Sequence, residues 1–176
     1  MINRETPPHP EGFLRETEAC AAETARKLVE RLTLENRTLA LAESCTGGLV
    51  SEFITRINGA SAVFWGSFVT YSAAAKETML SIDKDFLARF TTVSRETTRE
   101  MALKTLKLSG ASISAAVTGL AGPGGNGVLP AGTVYVAVAH PCGVVEKKLF
   151  FRGTRAEVKM QAAAAVLEEL FSVPAM

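Results

Sequence analysis

Histidine is nearly missing from this chain: two occur in 176 residues, His9 among prolines and His140 beside a turn signal. A zinc site of the usual nitrogen and sulfur ligands is therefore not expected, and no metal or cofactor is assigned. The same shortage argues against a Cys-His pair, and it leaves lysine, tyrosinate or a carboxylate as the base for any serine nucleophile. Cysteine is also sparse. Cys20, Cys45 and Cys142 are odd in number and widely spaced, with no CxxC pair, so no disulfide framework is indicated. Charge of either sign lacks an excess: 19 Lys and Arg stand against 18 Asp and Glu, for a net charge of +1. Nucleic acid, which usually selects a basic patch, is not an expected partner. No apolar run approaches the roughly 20 residues that cross a bilayer, so no membrane partner is expected either. The first ten residues have no apolar core and carry Glu5, so neither a secretory signal nor a transit peptide is expected there, and a cytoplasmic location is expected.

What is present is an ordinary globular composition, 47% apolar and 21% charged, enough for a single core without staples. Residues 1–14 hold three of the seven prolines and read as an extended, mobile arm; residues 15–176 read as one domain. Helical spacing of Ala22, Ala25, Leu28, Val29 and Leu32 predicts a surface helix over 15–36. Residues 38–42 fit a buried strand and 49–57 a helix. Part of the aromatic run 62–71 is a strand, and its Phe64 and Trp65 either fill the core or form a dimer contact. The core is favoured because aromatics are mostly buried, and a homodimer remains a possible state. Helices are expected over 73–80, 84–89 and 95–108, the last capped by Ser94 and ended by Gly110. A central strand spans 112–117. An antiparallel hairpin joins 133–139 to 144–151, and a helix over 155–171 closes the chain. This order predicts an α/β protein, a three-layer α/β/α single domain with a mixed β-sheet.

Two stretches carry the chemistry. In Glu43-Ser44-Cys45-Thr46-Gly47-Gly48 an apolar strand breaks into small polar residues and two glycines before a helix. Ser44 then sits on a strand-to-helix turn beside unpaired N–H groups that favour negative charge, a good place for a nucleophile. The bland alternative is a helix cap with close packing at the glycines. Cys45 lies where a thiol pKa is lowered, but without a histidine partner it is not the favoured nucleophile. The second stretch, 118–127, contains five glycines in ten residues and also follows a buried strand, so both are expected to border one cleft at a sheet edge. Lys76 follows Tyr71 by five residues, and the two converge only if the chain bends between them. A lysine buried there loses its proton near neutral pH.

The motifs 43–48, Tyr71-Ser72-Ala73-Ala74-Ala75-Lys76, Thr118-Gly119-Leu120-Ala121-Gly122-Pro123-Gly124-Gly125 and Pro130-Ala131-Gly132-Thr133-Val134-Tyr135 resemble, in that order, the CinA C-terminal domain family. Its members are nicotinamide-nucleotide amidohydrolases of the PncC type, also called nicotinamide mononucleotide deamidases. The resemblance implies deamidation of nicotinamide mononucleotide (NMN) to nicotinic acid mononucleotide and ammonia, in pyridine nucleotide salvage. By it Ser44 matches the nucleophile, Lys76 its general base and Tyr71 an assisting hydroxyl. Glu43, Cys45, Thr46, Gly47, Gly48, Thr118, Gly119, Ala121, Gly122 and Arg155 are expected to bind the substrate, a small-molecule nucleotide. Its phosphate is expected either on the 118–122 loop or at the helix start beside Gly47. Two departures stand out: Leu129 replaces the lysine that often precedes the proline, and Thr154 replaces the aspartate of Gly-Asp-Arg. The alternatives are a non-catalytic nucleotide-binding module of the same family, or an amidase for a related small amide.

Overall fold

The computed structural model describes residues 9–174. Five strands form one sheet in the order β2-β1-β3-β4-β5. These are β1 (Leu39–Glu43), β2 (Phe64–Val69), β3 (Ile113–Gly119), β4 (Thr133–His140) and β5 (Gly143–Phe150). Strand β1 is parallel to both neighbours, whereas β3-β4 and β4-β5 are antiparallel, so the sheet is mixed as predicted. Six helices cover its faces: α1 (Phe13–Leu34), α2 (Leu49–Thr55), α3 (Ala73–Leu80), α4 (Lys84–Phe90), α5 (Arg95–Ser109) and α6 (Arg155–Ser172).

Side-chain alternation sorts the two faces. Leu39, Leu41, Ile113, Ala115, Val117, Val134, Val136 and Val138 join α1, α2 and α6 in the larger core. Ala42, Ala116, Ala137 and Ala139 point to the other face, where α3, α4 and α5 pack. Alanine there lets α5 approach closely, and the buried Ser114 hydroxyl ties it down by donating to the carbonyl of Ala102 at 2.8 Å. The result is the expected three-layer α/β/α domain.

Several boundaries differ from the sequence reading. Helix α1 begins at Phe13, inside the stretch read as an arm, and its buried stripe includes Ala21, with Ala22 only partly covered. Just before it, the His9 N–H donates to Glu157 Oε1 at 2.8 Å, and the His9 ring stacks on Phe13 at 3.9 Å. The remainder of that stretch, residues 1–8, lies outside the described residues. Trp65 does not fill the core: it is 52% exposed. The reason is a bulge, since Leu39 pairs with Phe64 and Ala40 with Gly66, leaving Trp65 as the extra residue. Phe64 does pack against the larger core.

Candidate active site

The topology brings four segments to one edge of the sheet. Strands β1, β2 and β3 are mutually parallel, so Ser44, Tyr71 and the glycine-rich loop all follow carboxyl ends at that edge. Two antiparallel steps, β3 to β4 and β4 to β5, return the chain to the same edge, where α6 begins at Arg155. Since β1 connects to β2 on one side and lies beside β3 on the other, the cleft sits where the sheet order reverses, the usual ligand position in such folds.

Within it, a cavity of about 300 Å³ is walled by Ser44, Cys45, Tyr71, Lys76, Thr92, Val93, residues 118–125 and Arg155. Lys76, on α3, is 1% exposed. Its Nζ donates to Ser44 Oγ at 3.1 Å and to the Thr70 carbonyl at 2.7 Å. Burial lowers the Lys76 pKa from 10.5 to about 8, a nearby Cys45 opposing this slightly. The bend that brings Lys76 in is the cap of α3, where Ser72 Oγ accepts from the Ala75 N–H at 3.1 Å.

Tyr71 lines the rim, 61% exposed, and its hydroxyl bonds to neither Ser44 nor Lys76. It accepts from Arg155 Nη2 at 2.6 Å, while Arg155 Nη1 donates to the Gly122 carbonyl at 2.7 Å. Arg155 thus joins three segments across the cleft without the aspartate common before it. Thr154 serves instead as the cap of α6, with the Glu157 carboxylate accepting from its N–H at 2.6 Å and its hydroxyl at 2.9 Å. These contacts, the N–H foremost, hold the Glu157 carboxyl below the usual carboxylate range.

Cys45 corrects the sequence reading. Burial pushes its thiol pKa up to about 12 rather than down, so the thiolate is disfavoured. Glu43, Thr46, Gly47 and Gly48, expected at the substrate, are not part of the cavity wall. Glu43 is 1% exposed, and its carboxylate accepts from the N–H groups of Gly48, Val50 and Ser51 and from the hydroxyls of Thr46 and Ser51. The start of α2 is therefore capped by a protein carboxylate, which leaves the N–H groups of Gly48, Val50 and Ser51 engaged within the chain. Gly48, at φ +100°, supplies the left-handed turn into α2.

On the opposite wall the Thr118 hydroxyl donates to the Thr92 carbonyl at 3.0 Å. Gly119 leaves no space for a side chain, since a Cβ would lie 2.7 Å from the Thr133 carbonyl. Thr92 and Val93 were not anticipated. Their stretch reads only as a connection between α4 and α5, and the positive-φ Thr91 (φ +64°) that ends α4 has no glycine to mark it. Among the described residues, no group of three or more His, Cys, Asp or Glu side chains is placed to hold a metal ion. No described helix is long and apolar enough to cross a membrane.

Comparison with known proteins agrees with this architecture. A family model described as the CinA C-terminal domain matches residues 21–173. A CinA-like protein of Geotalea uraniireducens is 48% identical over 124 residues, 70% of this chain and 30% of its own. One from Geobacter metallireducens is 42% identical over 150 residues, 84% of this chain and 36% of its own. The chain thus spans about a third of the length of these curated relatives. The crystal structure of the competence/damage inducible protein CihA from Agrobacterium tumefaciens superposes with a TM-score of 0.82 at 37% identity, covering 86% of this chain and 93% of that one. A CinA superfamily protein from Klebsiella pneumoniae gives 0.83 at 31% identity, covering 86% and 95%.

Proposed function

The chain belongs to the CinA C-terminal domain family, and from its Ser44–Lys76 pair we propose that it is an amidohydrolase that converts NMN to nicotinic acid mononucleotide and ammonia, within pyridine nucleotide salvage. The observation that carries this reading is the 3.1 Å contact between a buried lysine of lowered pKa and a serine on a cavity wall.

In the neutral amine, one N–H is tied to the Thr70 carbonyl and the lone pair is available to Ser44. Lys76 takes the Ser44 proton as Oγ attacks the carboxamide carbon. The carbonyl π bond opens to an oxyanion, for which the N–H group of Cys45, on the cavity wall, is the donor at hand. Collapse of that intermediate breaks the C–N bond, and the departing nitrogen receives the proton from Lys76 to leave as ammonia. Water, giving a proton to Lys76, then attacks the acyl-serine; the ester C–O bond breaks, Lys76 returns that proton to Ser44 Oγ, and the acid is released. Tyr71 assists proton movement at the rim. Arg155 and the 118–122 loop hold the nucleotide, with Arg155 suited to a phosphate by its paired donors.

The test is ammonia release from NMN by the wild type, Ser44→Ala and Lys76→Ala, with and without chelator. Chelator-resistant turnover in the wild type is expected, with losses of about a thousandfold or more in both folded variants. Thermal stabilisation by NMN without turnover would instead favour a binding module, and faster turnover of nicotinamide riboside than of NMN would favour an amidase for a related small amide.

A further inference from the structure

Glu43 is the residue immediately before the nucleophile, yet its carboxylate turns away from the cavity. The cap of α2 comes from it because the residue in the capping position, Gly48, has no side chain to offer. Five donors converge on the two oxygens: Gly48 N at 3.0 Å, Val50 N at 3.1 Å, Ser51 N at 2.8 Å, Thr46 Oγ1 at 2.7 Å and Ser51 Oγ at 2.5 Å. Among the described residues Glu43 forms no ion pair, so these donors alone satisfy a buried carboxylate.

The arrangement fixes both ends of the nucleophile turn. At one end the Glu43 backbone is locked in the sheet, its carbonyl accepting from Thr70 N at 2.8 Å and the Ser44 N–H donating to Val117 at 3.0 Å. At the other end the Glu43 side chain grips the first turn of α2. Between them the Gly47 N–H donates to the Ser44 carbonyl at 3.1 Å. Within 44–48, the Cys45 N–H meets only its own thiol, and of the residues that follow Ser44 in this turn Cys45 alone lines the cavity.

We propose that Glu43 is a positioning residue: its buried carboxylate clamps the strand end to α2, so that Ser44 Oγ and the Cys45 N–H group are presented together as nucleophile and oxyanion donor. The role of the turn in amide hydrolysis rests on the function proposed above. Glu43 touches no substrate; it acts through the turn that it holds.

Glu43→Gln keeps the volume but sets an NH₂ group against a ring of donors. It is expected to lower kcat for NMN about a hundredfold, the size of losing an oxyanion donor, with KM within about twofold. Glu43→Asp, which restores the charge on a shorter stem, is expected to recover part of that loss. A raised KM at unchanged kcat would assign Glu43 to the substrate, and a lowered Tm with both constants unchanged would reduce it to a structural cap; either overturns the proposal. Should Glu43→Gln not fold, Ser51→Ala removes one hydroxyl donor that does not line the cavity, and a several-fold fall in kcat at constant KM is expected; no fall overturns it.

A fluorophosphonate probe separates this inference from the substrate assignment, since phosphonylation of Ser44 draws on the same nucleophile and oxyanion donor but not on NMN. If the wild type is labelled without deamidating NMN, the substrate reading fails, and the labelling rate of Glu43→Gln, expected to drop in the same ratio, still decides the role of Glu43. A wild-type Ser44 that takes no probe overturns both.

Discussion

Lys76 is the residue whose chemistry and stability pull in opposite directions. Its amine is buried and its pKa falls from 10.5 to about 8. Below pH 8 it is charged in both the folded and the unfolded chain, and folding bears the full desolvation penalty. Between about 8 and 10.5 the unfolded chain holds the extra proton, so stability rises with pH; above that range the penalty is gone. Lys76→Met is therefore expected to raise stability at pH 7 by at most roughly 3 kcal/mol, offset in part by the lost bonds to Ser44 and Thr70, and to gain little at pH 11. Urea unfolding at the two pH values checks this, and a variant less stable than wild type at pH 7 would contradict it. The activity of the wild type should climb with pH through about 8 as the free base forms. At this scale the residue types of the Ser44–Lys76 pair were legible in the sequence, but their burial and contact were not. Cys45 was misjudged because proximity to a helix start can be read from a sequence, whereas burial that outweighs it cannot.

Among the elements, α6 is secured at both ends by other parts of the chain. Thr154 and Glu157 close its first turn, and Arg31 of α1 donates to the carbonyls of Leu170, Phe171 and Val173 at its last. Because Arg155 is the first residue of α6, the cap also sets where its guanidinium reaches the cleft. Thr154→Ala is expected to cost about 1 kcal/mol of stability and to raise KM more than it lowers kcat. Chemical denaturation and steady-state kinetics with NMN measure the two effects; a stability loss with unaltered KM would separate the cap from the cleft. Most elements were readable because their periodicity is clean: five apolar positions define α1, and Ser94 and Gly110 bracket α5. The bulge at Trp65 was not, since an extra residue in a strand leaves composition unchanged and shows itself only through its partner's register.

For the whole molecule, the mixed sheet followed from the short Pro141-Cys142 turn, which forces β5 back along β4, and from long crossovers elsewhere. What no local pattern announced was that the 90-region faces the same cavity as the start of α6, whose Arg155 the family resemblance alone had placed there, because that depends on the number of strand reversals between them. The solvent face of edge strand β2 carries Trp65, the one tryptophan in the chain. The bulge beneath it opposes strand-to-strand pairing, so acrylamide quenching of its fluorescence is expected to be substantial and independent of protein concentration. Quenching that weakens as concentration rises would assign this edge to a contact between two copies.

The hairpin of β4 and β5 also separates construction from chemistry. Its turn lies at the edge of the sheet opposite Ser44, a full strand length from the cavity. For an engineer, that makes the turn a socket: a reporter domain spliced into it would ride on the protein with the cleft unobstructed, provided the two strands still leave and re-enter as a pair, because a single added or missing strand would deliver Arg155 to the wrong end of the molecule.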